Sequence, residues 1–226
     1  MNKRVSDETS RSPQERIFLD GEGDSWFERN REKLVDISDD FPIETIKRVL
    51  SPFNERIVNI LEIGCSNGAK LNKLSTFFNA TGYGIDPSEK AITIGKKEFP
   101  TLKLSVGTAQ EIEHRNESFD LVYFGFCLYL LDRNAVLRAV AESDRVLRAG
   151  GFLAILDFEP SGRRQNPYHH LLGVTTFKNS YAEFFTAGGH YYLIAKDSLT
   201  NETRQFSPNR DERVSINVLF KEIDSY

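Results

Sequence analysis

Between residues 57 and 158 the sequence switches repeatedly between two hydrophobic periods, and that alternation limits the chain to few folds. Short runs rich in β-branched and aromatic residues at 57–63, 82–85, 102–106, 119–124 and 152–158 read as strands. Residues 69–79 and 87–99 read as helices, the second opened by Pro87 in its first turn. A third helix is capped by Asp132, carries Val136, Leu137, Val140, Ala141 and Leu147 on one stripe, and is stopped by Gly150-Gly151. Strands joined by crossover helices lie parallel, with helices covering both faces of the sheet. The tightest joint is the first. The run Asn59-Ile60-Leu61-Glu62-Ile63 ends in the small turn Gly64-Cys65-Ser66-Asn67-Gly68, and a helical stripe of Leu71, Leu74, Phe77 and Phe78 follows at once. A strand, a glycine-bearing turn and a helix bring backbone N–H groups up against a ligand.

After residue 158 the rhythm changes. Residues 160–190 hold Pro160, Gly162, Pro167, Gly173 and Gly188-Gly189. Two β-like runs, 191–195 and 214–220, are joined by a polar stretch with no helical stripe, so they read as an antiparallel hairpin. At the other end, residues 1–14 are polar and read as a frayed tail. A turn containing Gly21 and Gly23 precedes a helix with Trp26 and Phe27, capped by Asp24 or Ser25, and a second helix covers 43–50. The expected organisation is a tail and helical cap over 1–55 and one α/β domain over 56–226. The fold class is a doubly wound, mostly parallel, seven-stranded sheet with a C-terminal antiparallel hairpin and an N-terminal helical extension.

Charge narrows the function. Lys and Arg number 29 against 33 Asp and Glu, for a net charge of −4, and the basic pairs Lys47-Arg48, Lys96-Lys97 and Arg163-Arg164 do not join into one run. Nucleic acids and membrane surfaces need concentrated positive charge, so neither is an expected partner. The longest apolar stretch, 121–131, is too short to span a bilayer and is broken by Gly125. The first residues are charged and lack the apolar centre of a signal peptide. Cys65 and Cys127 form neither a disulfide framework nor a zinc spacing. A cytoplasmic location and no metal are expected.

Several motifs then fall in one order. These are Glu62-Ile63-Gly64-Cys65-Ser66-Asn67-Gly68, Asp86 at the end of the second strand, Gly107-Thr108-Ala109, Ser118-Phe119-Asp120-Leu121-Val122, and Arg145-Val146-Leu147-Arg148-Ala149-Gly150-Gly151. Together they resemble the class I S-adenosylmethionine-dependent methyltransferases, in the form of the type 11-like methyltransferase domain. One departure is Ser66, where that family has its middle glycine. The resemblance implies a Rossmann-like sheet, S-adenosylmethionine as cofactor, S-adenosylhomocysteine as product and a small-molecule acceptor. It assigns cofactor binding to Glu62, Gly64, Cys65, Ser66, Asn67, Gly68, Asp86, Pro87, Thr108, Ala109, Phe124 and Gly125, with Trp26 and Asn30 folding over from the N-terminal helix. Asp86 can accept from both ribose hydroxyls. Thr108, Ala109 and Gln110 flank the adenine, and Phe124 with Gly125 sits beside the sulfonium, where an aromatic face attracts a cation.

The same resemblance places the acceptor site in 160–190. His169 and His170 are candidate general bases there, and Phe126, Tyr129 and Tyr181 candidate acceptor contacts. Tyr168, Phe177, Tyr181, Phe184 and Phe185 lie at near-helical spacing in this region. The expected acceptor is an oxygen of a sugar or natural-product intermediate, and a homodimer is compatible with the sequence. Two alternatives stand beside this reading. One is an NAD(P)-dependent oxidoreductase, since Gly64, Ser66 and Ala69 occupy the positions of a dinucleotide fingerprint that Ser66 breaks. The other is a non-catalytic cofactor-binding module. Tyr192 and Lys196 match a Tyr-x-x-x-Lys dehydrogenase pair, but in a β-like run, where they share no helix face.

Overall fold

The computed structural model describes residues 11–35, 40–200 and 205–223, so most of the expected polar tail lies outside the described residues. Order begins earlier than composition suggested. Helix α1 (Pro13–Ile17) starts on a capping box in which Ser12 and Glu15 each accept the other's backbone N–H. The chain then turns once, widely, through 18–22, kinks at Gly21 with φ of 143°, and continues as α2 (Gly23–Val35). The glycines therefore do not form a loop before a capped helix. Gly21 takes a backbone conformation that side chains disfavour. Gly23 lets α2 lie against the backbone of residues 87 and 88, because a Cβ there would stand 3.1 Å from the Ser88 nitrogen. Asp24 caps a different helix from its own: it accepts from Ser88 Oγ (2.7 Å) and from Lys90 N (3.0 Å). Helix α3 (Phe41–Leu50) buries Ile43, Ile46 and Leu50 and passes into a 3-10 turn at 51–56.

The sheet elements follow in alternation: β1 (Asn59–Ile63), α4 (Ala69–Phe78), β2 (Thr81–Asp86), α5 (Glu89–Glu98), β3 (Lys103–Val106), β4 (Phe119–Gly125), α6 (Arg133–Val146) and β5 (Leu147–Phe158). They are followed by β6 (Arg164–Pro167), β7 (Thr175–Lys178), α7 (Glu183–Thr186), β8 (Tyr191–Thr200) and β9 (Arg213–Lys221). One seven-stranded sheet has the order β3-β2-β1-β4-β5-β9-β8. Its first five strands are parallel, and β9 runs antiparallel between β5 and β8. Strand order reverses at β1 and β4, where the two connections leave in opposite directions and open a crevice at the strand ends. The central strands are buried on both faces. Ile60, Leu121 and Tyr123 join α3 and α4 on one face; Leu61, Val122 and Phe124 join α6 on the other.

Some local expectations change. Pro87 lies before α5, whose N-cap is Ser88 accepting from Ala91 N. Asp132 does cap α6, accepting from Ala135 N at 3.1 Å. That helix buries Ala135, Val136, Ala139, Ser143 and Val146, however, and leaves Leu137 exposed. It ends at Val146, and Gly150, with φ of 70°, sits inside β5 beside a register shift against β4. The glycine pair thus serves a bulge rather than a helix cap. Residues 160–190 form a two-stranded β6–β7 hairpin and the single-turn α7, so of their aromatics only Phe184 and Phe185 lie in a helix. Tyr168 packs on Phe18, and Phe185 on Tyr191. Lys196, on β8, pairs with Glu159, and Tyr192 is exposed. Among the described residues no helix is long and apolar enough to cross a membrane. None of them form a group of three or more His, Cys, Asp or Glu fit to hold a metal.

Candidate functional site

The turn after β1 is held open by backbone conformation. Gly64 and Gly68 have φ of 75° and 82°, and the N–H groups of Gly64 and Cys65 both donate to Ile85 O, at 2.9 and 3.1 Å. The ends of β1 and β4 approach more closely than side chains allow. A Cβ on Gly64 would stand 2.8 Å from Cys127 Cβ, and one on Gly125 would stand 2.7 Å from Glu62 Oε1 and 2.8 Å from Gly64 O. Ser66, where the resemblance expects glycine, keeps a glycine-like φ of 51°. That conformation costs about 1–2 kcal/mol for a residue with a Cβ. Its N–H donates to Asp86 Oδ2 at 2.9 Å, and Ser88 N donates to Oδ1 at the same distance. Asp86 therefore clamps the β1 turn to the start of α5, and each oxygen keeps a lone pair for a further donor.

Burial pushes the Asp86 carboxyl up to about 6, against the pull of the Ser88 and Ser66 N–H groups. A raised folded value means that Asp86 supports the fold when protonated, below its ordinary value of 3.8, and that this support is lost as pH rises through about 6. A ligand that donates to the carboxylate has the opposite preference. Affinity for S-adenosylhomocysteine should rise about tenfold from pH 5 to pH 7, as the ionised fraction does. Calorimetry at both values checks this, and a flat profile would contradict it. Glu62 lies beneath the same backbones, 1% exposed, with Oε2 lacking a partner. Burial pushes its carboxyl well up, opposed by the Lys70 charge and the Leu71 N–H.

Two adjoining cavities open above this turn and share Phe18, Gly64, Pro87, Cys127 and Leu130 in their linings. The first extends over residues 107–110; the second reaches Trp26, Asp86, Gly125 and Phe126. Helix α1 borders the first and α2 the second, with Phe18 between them bordering both, and polar contacts tie this segment down. Thr108 Oγ1 donates to Glu15 Oε1 (2.7 Å), Gln14 Nε2 donates to Leu130 O (2.6 Å), and Thr175 N donates to Gln14 Oε1 (2.7 Å). Further along, Arg29 and the Tyr168 hydroxyl both donate to Glu22.

Of the residues expected at the site, Trp26, Gly64, Asp86, Pro87, Thr108, Ala109, Gly125 and Phe126 line the cavities, and Ser66 and Gly68 shape the turn below. Others point elsewhere. The Cys65 thiol is buried against Gly84 and donates to Ser66 O. The Asn67 amide donates to Glu98, and that of Asn30 to Trp26 O. Phe124 is fully buried in the core beneath the sheet rather than beside the cleft. The ring that the end of β4 presents to the cleft is Phe126, which a φ of 67° swings out of the strand alternation. It packs on Tyr129 and Phe158, with ring centroids 5.3 and 4.9 Å away.

Tyr129 stands behind that ring rather than in the cleft. Its hydroxyl accepts from the Trp26 indole, and its N–H donates to Asp157. Burial pushes Asp157 up to about 8, opposed by the N–H groups of Phe158, Tyr129 and Leu128. The Tyr181 hydroxyl is buried between the carbonyls of Leu128 and Phe177, an anchor for the 160–190 segment rather than an acceptor contact. His169 and His170 are exposed in the β6–β7 connection, outside both cavities. Gln14, Glu15, Phe18, Cys127 and Leu130 line the site without having been expected there. The Ser12-to-Glu15 capping-box spacing was the available signal for the first two.

Residues 61–155 match the family model described as a methyltransferase domain. The demethylmenaquinone methyltransferase of Staphylococcus aureus strain MRSA252 is 34% identical over 119 residues, covering 49% of this chain and 48% of that relative. The ubiquinone/menaquinone biosynthesis C-methyltransferase UbiE of Campylobacter jejuni strain 81116 is 29% identical over 122 residues, covering 50% and 49%. The chain thus spans about half the length of the curated relatives it matches. Among solved structures, Burkholderia thailandensis 1,6-didemethyltoxoflavin-N1-methyltransferase, with its substrate and S-adenosylhomocysteine bound, has a TM-score of 0.67 at 16% identity, covering 96% of this chain and 93% of that one. The [4+2]-cyclase SpnF has a TM-score of 0.62 at 15% identity, covering 80% and 81%. The family match begins inside β1 and ends inside β5, across the whole floor of the cleft. Residues 61–155 thus carry the likeness to methyltransferases, and the solved structures share the fold in which those residues lie.

Proposed function

We propose that the chain transfers a methyl group from S-adenosylmethionine to a small, largely apolar, planar acceptor. The observation that carries this is a pair of adjoining cavities over the β1 turn, with Asp86 in the lining of one and aromatic side chains beside it. When bound, the cofactor supplies an electrophilic methyl on a sulfonium. The residues present suit it. Asp86 has free lone pairs for a diol, Glu62 has a buried oxygen without a partner near Gly64 and Gly125, and residues 107–110 border the adjoining, mostly apolar cavity. The chain's own contribution is to hold acceptor and methyl in line and to keep water out, which accounts for a cleft without histidine.

The acceptor end is formed by Phe18, Trp26, Phe126 and Leu130. A sugar would place several hydroxyls against these groups and leave them without hydrogen bonds, at about 1–3 kcal/mol each. The lining therefore favours an aromatic or quinone-like ring over the sugar oxygen suggested by the sequence. The names of two relatives, a ubiquinone/menaquinone biosynthesis C-methyltransferase and a demethylmenaquinone methyltransferase, agree with that choice.

Methyl-labelled S-adenosylmethionine tests the proposal. Label should pass to a solvent-extractable acceptor, and Phe126→Ala should raise the acceptor KM about tenfold with S-adenosylhomocysteine affinity unchanged. Label found only in water-soluble sugars would overturn the acceptor class, and calorimetric binding of NAD but not of S-adenosylhomocysteine would overturn the reaction. The likeness to a [4+2]-cyclase favours a second reading, a cofactor-binding protein without methyl transfer. Tight S-adenosylhomocysteine binding without transfer to any acceptor would support it.

A further inference from the structure

We propose that the β8 edge of the sheet carries a second binding site, an open cavity between α7 and β8 that takes a small organic amine through Glu159, Glu183 and Asn217. It shares no lining residue with the cavities over the β1 turn, and β8 lies three strand spacings, roughly 14 Å, from β4. The inference does not depend on the cofactor assignment.

Register explains why polar groups meet there. Facing residues of an antiparallel pair point to the same side of the sheet. Strands β5 and β9 bring Leu153 opposite Leu219 and Ile155 opposite Asn217, and β9 and β8 bring Leu219 opposite Leu193 and Asn217 opposite Lys196. Leu193 and Lys196 share a face at odd spacing because the pairing skips a residue between Leu193 and Ala195. That face is apolar core at Leu153, Ile155 and Leu219 and turns polar at Asn217 and Lys196. Glu159, just past the end of β5, joins them: its carboxylate pairs with Lys196 and accepts from Asn217 Nδ2 at 2.8 Å.

This polar island does not satisfy itself. Asn217 is 3% exposed, and Oδ1 of the amide that holds Glu159 has no partner. A buried carbonyl oxygen left unpaired is a standing cost that an N–H donor removes. Glu159 is 9% exposed and keeps lone pairs beside its two bonds. Glu183, on α7, adds a second carboxylate to the lining, exposed and without an ion pair among the described residues. Two carboxylates against the one Lys196 ammonium leave the lining net negative, so it favours a cation. Ala182, Tyr191 and Leu193 complete the wall with apolar surface. The cavity measures about 410 Å³, which is in the range that takes small molecules. An amine answers each of these features, with N–H donors for the oxygens, one positive charge and an apolar body.

Calorimetry on the full chain with phenethylamine, 2-phenylethanol and 3-phenylpropanoate tests this, since the three share a body and differ in charge. Phenethylamine should bind with a dissociation constant on the order of 0.1–1 mM, about tenfold more tightly than the alcohol, and the anion should bind more weakly still. Glu159→Gln leaves Lys196 unpaired in the cavity and should weaken the amine about thirtyfold. Glu183→Gln changes an exposed charge and should weaken it about threefold, with melting temperature and S-adenosylhomocysteine affinity unchanged. Glu183→Gln decides alone if Glu159→Gln does not fold. The alcohol or the anion binding as tightly as the amine overturns the inference, as does no binding of the amine at about 10 mM. An amine affinity unchanged in both variants overturns it as well. Displacement of the amine by S-adenosylhomocysteine puts it in the cleft instead and also overturns the inference, whereas a failure to bind S-adenosylhomocysteine overturns only the cofactor assignment.

Discussion

Replacing Asp86 with alanine lowers affinity for S-adenosylhomocysteine by about a hundredfold while leaving the protein folded. Hydrogen bonds to a charged group are worth about 1.5–3 kcal/mol, so losing the seat for a diol is a loss of one to two orders of magnitude. The change also releases Ser66 N and Ser88 N, and with them the clamp that holds the left-handed Ser66. Stability falls less than affinity, because alanine also removes a buried carboxyl whose raised value of about 6 marks a cost to its ionised form. Asp86→Asn keeps one acceptor but turns an amide N–H toward a backbone donor, so it should fall between. Calorimetry alongside thermal melts separates the two effects, and an affinity within threefold of the unaltered protein would remove Asp86 from the assigned role.

Gly95→Ala should have the largest effect on stability. In an exposed helix this exchange is favourable by about 1 kcal/mol. In α5 a Cβ on Gly95 would stand 2.3 Å from Asn67 O and 2.7 Å from Leu104 Cδ1. The first contact is with backbone, in the turn that forms the cleft floor, so relief requires α5 or the turn to move. Overpacking of this kind costs about 1–3 kcal/mol or more, and it outweighs the gain in helix propensity. A net loss of about 2–3 kcal/mol lowers the melting temperature of a chain this size by roughly 5–10 °C. Cofactor affinity falls with it, since the displaced residues carry the turn. Gly107→Ala is the control: its nearest neighbour would be Ile85 Cβ at an ordinary 3.6 Å. A Gly95→Ala melting temperature equal to that of the control would refute the account.

The parts of the site legible in the sequence are those set by local rules. Gly64 and Gly68 announce positive φ, Asp86 ends a strand at the spacing of a ribose acceptor, and Asp132 caps its helix. The exchange of Phe124 for Phe126 was not legible. Strand alternation gives each ring a face, but only the left-handed step at Phe126 shows which ring leaves the sheet. Gly150-Gly151 is equally good punctuation for a helix cap and for a bulge, and pairing of β5 with β4 decides between them. Gln14 was read as tail and Glu15 was given no role, because their partners, Leu130, Thr175 and Thr108, lie 116, 161 and 93 residues away.

Those separations bear on the order of assembly. The strands of the floor pair over shorter separations, Ile60 with Gly82 and with Leu121, whereas α1 joins the sheet through contacts 93 to 161 residues apart, the kind that form late. The same contacts are individually weak, about 0.5–1.5 kcal/mol each. Residues 12–30 are therefore the part of the protein that opens first under native conditions, well before the sheet unfolds. A ligand enclosed beneath them shifts that local equilibrium by mass action. Amide-exchange protection in α1 and α2 thus reports cofactor occupancy more directly than the melting of the whole domain.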